Sequence, residues 1–165
     1  MQWHWRRSIT TVCMERVNTL LRNVELPQPW SMNSFIDRLE AYRDRQIDLY
    51  PFTWTPDLGS TGAWERYDDH DVIAYAANTT AAHQDYNILH EVGHMISSHG
   101  RQCVLASAEA LTLAPTLGAT AFGHLMTTVS FTRAEKEADM IATLLLARIA
   151  RGDTGGLDYC MEALR

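Results

Sequence analysis

Residues 89–100 read LHEVGHMISSHG and contain His90-Glu91-Val92-Gly93-His94, an H-E-x-x-H pattern. On a helix, residues four apart share a face, so the two imidazoles can aim at one point the size of a divalent cation, with the Glu91 carboxylate beside them. Those residue types at that spacing suit hydrolysis. A cation held by His90 and His94 lowers the pKa of a water, and Glu91 accepts the proton as the nucleophile attacks a polarised carbonyl. The bland alternative is a solvated helix face carrying two histidines and a glutamate, so a third ligand decides between the two.

A catalytic zinc site takes three protein ligands and leaves a fourth position for water. Three places downstream could supply the third. His99 falls one residue short of the third histidine of the metzincin pattern, which here is Gly100, and Ser97 stands where that motif has glycine. His124 sits between Gly123 and Leu125 in a stretch with no clear element. Glu135 and Asp139 form an i, i+4 pair, so one carboxylate can ligate while the other accepts a hydrogen bond from a liganding histidine. Thr132-x-x-Glu135 also fits a capping box, in which Glu135 would only reach back to the start of its own helix. Glu137 is a fallback ligand on another side of that helix. Tyr75, His99 and His124 are candidates for the donor that a developing oxyanion needs.

The elements that must position these groups follow from periodicity and breakers. Val12, Val17, Leu20 and Leu21 predict a helix over 8–22, and a second runs from Ser31 to about Arg45 after the break LPQPW. RQIDLYPFTW alternates Ile47, Leu49 and Phe52 as a strand, with Pro51 and Pro56 marking an edge or an end. TPDLGSTG reads as a loop, and AWERY, the polar turn DDHD and VIAYA read as a hairpin, giving a small antiparallel sheet ahead of the motif. The motif helix has Asn78, Thr79 and Thr80 as N-cap candidates and Gly100 as its stop. Residues 101–130 are rich in small residues and broken by Pro115, Gly118 and Gly123, a pattern compatible with one or two short helices whose positions it does not fix. SFTRAEKEADMIATLLLARIARG predicts a strong amphipathic helix capped by Ser130 or Thr132 and ended by Gly152. The expectation is one α+β domain over 1–165: an N-terminal helical part (1–45), a core (46–152) and a tail (153–165).

Composition narrows the function classes. With 46% hydrophobic and 21% charged residues in 165 positions, the chain has the balance of a folded protein with its own core. A net charge of −6 and no basic cluster beyond Arg6-Arg7 argue against direct nucleic-acid binding. Cys13, Cys103 and Cys160 make neither a C-x-x-C nor an even framework, which suits a cytoplasmic protein. The start is not expected to act as a signal peptide, since Thr10, Thr11 and Glu15 break its apolar run, and with Asp139, Thr143 and Arg148 in it the most apolar segment is not expected to span a bilayer. Asp153-Thr154-Gly155 and Arg151-Gly152-Asp153 match known tripeptides but are explained by turn chemistry after a helix.

His90-Glu91-Val92-Gly93-His94 followed by Glu135-x-x-Ala138-Asp139 resembles the gluzincin pattern of thermolysin-like peptidases. Taken with NILHEVGHMISSH and EKEADMIATLLL, the chain more closely resembles the ImmA/IrrE family of small metallopeptidase-like proteins, over roughly residues 45–150. The chain departs from many of them in continuing Leu144-Leu145-Leu146-Ala147 where they have Leu-Met-Pro. The resemblance implies a zincin-like fold in which His90, His94 and Glu135 bind one zinc ion, Glu91 is the general base and Asp139 supports a histidine. It further implies a helix-turn-helix repressor as protein substrate, and an edge strand in the hairpin, around Trp64 and Tyr75, that binds the substrate backbone. A non-catalytic alternative keeps the metal as a structural staple in a regulator or toxin–antitoxin component that acts by binding a repressor.

Overall fold

The computed structural model describes residues 7–99 and 133–152. The expectations placed on His124, Gly100, Ser130, Thr132, Cys103, Cys160, residues 101–130 and Asp153-Thr154-Gly155 lie outside the described residues.

Helix α1 spans Ile9–Asn23 and begins at Ser8, whose hydroxyl accepts from the Thr11 amide at 3.1 Å. It buries Cys13, Val17, Leu20 and Leu21, a stripe at helical spacing. Helix α2 spans Met32–Arg43, is capped by Ser31 in the same way, and buries Phe35, Ile36 and Leu39. It stops two residues before Arg45 because Asp44 turns into the left-handed region at φ 50°, which short polar side chains tolerate.

Strands β1 (Gln46–Phe52), β2 (Gly62–Arg66) and β3 (His70–Ala76) form one sheet in the order β1-β3-β2. β2 and β3 are the expected antiparallel hairpin, with Trp64 opposite Ile73. β1 runs parallel to β3, Leu49 opposite Ile73, so the sheet is mixed rather than wholly antiparallel. β1 and β2 do run in opposite directions as the pattern suggests, but β3 inserts between them; alternation fixes which face a residue takes and not the order of strands. Pro51 sits on edge strand β1, as its missing N–H requires.

Asp71, read as part of a polar turn, is instead fully buried at the start of β3. Arg43 Nη2 meets its Oδ2 at 2.9 Å and Arg45 Nε at 3.2 Å, which explains a buried acid in a strand. Arg45 also donates to the carbonyls of Tyr67, Asp68 and His70, so a guanidinium stabilises a hairpin loop that has no glycine.

Helix α3 spans Ala81–Ile96 and helix α4 Arg133–Arg151. Of the three cap candidates for α3 it is Thr80 that caps, accepting from the His83 amide. Asn78 exchanges two 2.8 Å hydrogen bonds with the backbone of Trp54 instead. α3 stops short of Gly100, because Ser98 takes φ 53° and turns His99 back so that its amide donates to the carbonyl of His94. Gly152, at φ 68°, follows α4 as expected. Val17, Phe35, Leu39, Ile73, Leu89, Val92, Ile141 and Leu145 join the helices to one face of the sheet in a single core. Among the described residues no helix is long and apolar enough to cross a membrane.

Candidate metal centre

The motif helix and α4 pack face to face, and the contact is set by two small residues. A Cβ on Gly93 would lie 3.0 Å from both Cα and O of Ala138, so glycine is what permits this approach. The i, i+4 spacing of α3 then puts His90 and His94 opposite Glu135 and Asp139. His90 Nε2 lies 3.1 Å from Glu135 Oε2, His94 Nε2 lies 3.3 Å from Glu135 Oε1, and the two Nε2 atoms are 3.1 Å apart. His90, His94 and Glu135 could therefore hold a metal ion. Glu135 reaches across to α3 with both oxygens, as a ligand would; Thr132, its partner in a capping box, lies outside the described residues.

Behind His90, Nδ1 is 2.9 Å from Oδ1 of Asp139, the residue expected to support a histidine. The same oxygen accepts from Tyr86 Oη at 2.6 Å. Behind His94, Nδ1 is 3.0 Å from Nδ1 of His99, and His99 Nε2 is 3.0 Å from Glu137 Oε2. Two assignments are thereby corrected. His99 stands behind His94 rather than facing a substrate as an oxyanion donor. Glu137 is no fallback ligand: it faces away from the three donors and is engaged by Arg16 at 2.6 Å, Arg133 at 2.8 Å and His99.

Electrostatics follow the contacts. Burial alone would raise the Glu135 carboxyl, but hydrogen bonds from His90 and His94 outweigh it and hold the group well below the usual carboxylate range. Burial likewise opposes ionisation of Glu137, and Arg16, His99 and Arg133 together hold it at about 2. For His90, burial lowers the pKa, yet the Glu135 hydrogen bond and the charges of Glu91 and Asp139 prevail and raise it. His99 moves the other way, lowered chiefly by burial. Burial and then Asp139 push the Tyr86 hydroxyl far up, so it stays a donor.

Glu91 is 1% exposed and abuts edge strand β2: a Cβ on Gly62 would stand 3.0 Å from its Oε1. A cleft of about 280 Å³ opens over His90, Glu91, Glu135 and Asp139. Its other walls include Trp54, Leu58, Gly62 and Tyr86. A larger cavity of about 430 Å³ lies between α1, α2 and the end of α3 and contains none of these donors. Trp64 and Tyr75, expected to meet substrate, do not line the cleft: Trp64 is 7% exposed in the core, and Tyr75 is packed against it. The aromatic walls are Trp54 and Tyr86. Tyr86 had a signal in the sequence, since it lies four residues before His90 on the same face of α3. Trp54 had none, because the pairing of its backbone with Asn78 is a tertiary contact.

Comparison of the chain with protein-family models, with curated proteins and with solved structures returns no significant match.

Proposed function

We infer that the chain is a zinc-dependent metallo-endopeptidase of the ImmA/IrrE type, acting on a helix-turn-helix repressor in the cytoplasm. The observation that carries the reading is the placement of Glu135, brought from 41 positions beyond His94 onto the two histidines with both oxygens turned to them. The donor set fits zinc. Two ligands of a tetrahedral zinc at about 2.0–2.1 Å stand about 3.3 Å apart, and the separations here are 3.1, 3.1 and 3.3 Å. Two imidazoles and a carboxylate, with a cleft above them, match a catalytic site rather than a closed four-ligand one.

Zinc, when bound, supplies Lewis acidity that acidifies water and polarises a carbonyl. The chain's residues do the rest. Glu91, held beside the cleft by the absence of a side chain at Gly62, takes the proton of the nucleophile and returns it to the leaving amine. Asp139 accepts from Nδ1 of His90 and leaves Nε2 bare for the metal. Among the described residues the outer edge of β2 has no strand beside it, and its first residue, Gly62, lines the cleft, which supports backbone pairing with an extended substrate segment. The repressor as substrate rests on the resemblance alone.

The test is Glu91→Gln. The expected result is zinc bound at one per chain, an unchanged fold, and loss of cleavage of a helix-turn-helix repressor followed by mass spectrometry. Equal cleavage by the variant removes the general-base mechanism. Repressor binding without cleavage by wild type would favour the non-catalytic regulator.

A further inference from the structure

Among the described residues His99 is not one of the three clustered donors and does not line the cleft above them, yet both of its ring nitrogens are engaged. Nδ1 is 3.0 Å from Nδ1 of His94, and Nε2 is 3.0 Å from Oε2 of Glu137. The proton positions follow by elimination. An ionised Glu137 only accepts, and it already accepts from Arg16 and Arg133, so His99 Nε2 carries a proton and donates. A neutral His99 then has a bare Nδ1, which accepts, and Nδ1 of His94 must be the donor. With a metal in place, that leaves the lone pair of His94 on Nε2, the atom that without one hydrogen-bonds Glu135 at 3.3 Å and lies 3.1 Å from Nε2 of His90.

We propose that His99 is a positioning residue for the metal centre: with Glu137 behind it, it fixes the His94 tautomer and ring orientation that present Nε2 to the metal. His90 is supported by a carboxylate directly, His94 through an interposed imidazole. The chain is shaped for this. The left-handed turn at Ser98 folds His99 back over His94, with ring centroids 5.1 Å apart at 69°. Arg16 of α1 clamps the arrangement from outside, donating from Nη1 to Ser97 Oγ at 3.0 Å and to Glu137. A residue that merely tied down the helix end would not need an acceptor on one side and a donor on the other; His99 uses both.

The proposal rests on the metal reading above, and the experiment separates the two. Zinc affinity is measured on the full chain by competition with a chromophoric chelator, for wild type, His99→Leu and His99→Gln. A glutamine amide carries an acceptor and a donor on one planar group, so it can accept from His94 and donate to Glu137, whereas leucine can do neither. The expected result is affinity about 10- to 100-fold weaker for His99→Leu and close to wild type for His99→Gln. Wild-type affinity in His99→Leu, or equal weakening in both variants, overturns the positioning role while leaving the metal centre standing. A wild-type chain that binds no zinc overturns both. Should His99→Leu fail to fold, nitrogen-15 spectra of the zinc-loaded wild type decide: a proton on Nε2 of His99 with a bare Nδ1 supports the role, and a proton on Nδ1 overturns it.

Discussion

Gly93→Ala tests whether the approach of α3 to α4 is what assembles the ligands. The added methyl would stand 3.0 Å from Cα and O of Ala138 and 3.4 Å from its carbonyl carbon, where carbon contacts prefer about 3.5–4.0 Å. The helices must therefore part by roughly 0.5 Å, and Glu135 and Asp139 move with α4. Metal sites tolerate about 0.2 Å in their ligand distances, so zinc affinity should fall about tenfold, or about 1.4 kcal/mol. Metal-free stability should change on the same scale or less. Alanine in a helix gains about 1 kcal/mol over glycine, against about 1–3 kcal/mol for the overpacking, a net loss of about 0–2 kcal/mol. Chelator competition reads the first quantity and urea unfolding of the metal-free chain the second. Ala138→Gly added to this variant should restore nothing, because the atoms met are backbone. Unchanged zinc affinity and unchanged stability in Gly93→Ala would refute the claim that this contact sets the site.

Gly62→Ala should spare zinc binding but lower peptidase activity, since its methyl would stand 3.0 Å from Oε1 of Glu91 and displace the carboxylate; wild-type kcat/KM in this variant would argue against that placement. Asp71→Asn removes the charge facing Arg43 and Arg45 and should cost about 2–3 kcal/mol in urea unfolding, below the about 3–5 kcal/mol of a fully buried pair because the guanidiniums are 17% and 13% exposed. A loss under about 0.5 kcal/mol, the usual range for surface changes, would show that the pair is solvated. Zinc at about 100 times its Kd should stabilise the chain by about 2.7 kcal/mol, which corresponds to a Tm rise of about 5–10 °C in differential scanning fluorimetry, reversed by a chelator. No shift with zinc would count against metal binding by the folded state.

Local signals carried the elements well. Ser8, Ser31 and Thr80 are hydroxyl caps at the expected starts, and Gly152 follows α4 where a left-handed residue is needed. The misreadings are tertiary. Asp71 looked like turn material because Asp is common in turns, and only the convergence of Arg43 and Arg45 makes its burial tolerable. The parallel pairing of β1 was illegible for a related reason: alternation in β1 is equally compatible with β2 or β3 as its neighbour. The early stop of α3 had a trace in Ser97-Ser98, weak helix formers, but Gly100 offered the stronger stop signal.

The site divides along the same line. The i, i+4 pairs His90/His94 and Glu135/Asp139 were legible because each depends on one helix alone. Which carboxylate of α4 meets the histidines depends on how α4 is rotated about its axis, and a sequence gives that only through its apolar stripe. Ala138, Ile141, Ala142 and Leu145 set the rotation, which carries Glu135 and Asp139 to the cleft and Glu137 to the far side. Glu135 and Glu137, two residues apart, thus do opposite work from one element: one offers oxygens where a cation fits, and the other draws Arg16 and His99 together behind His94. Exchanging their roles would require a rotation of roughly half a turn, which would bring Ala138 away from Gly93 and expose the core stripe. The packing that closes the core is therefore also what selects the carboxylate that faces the two histidines.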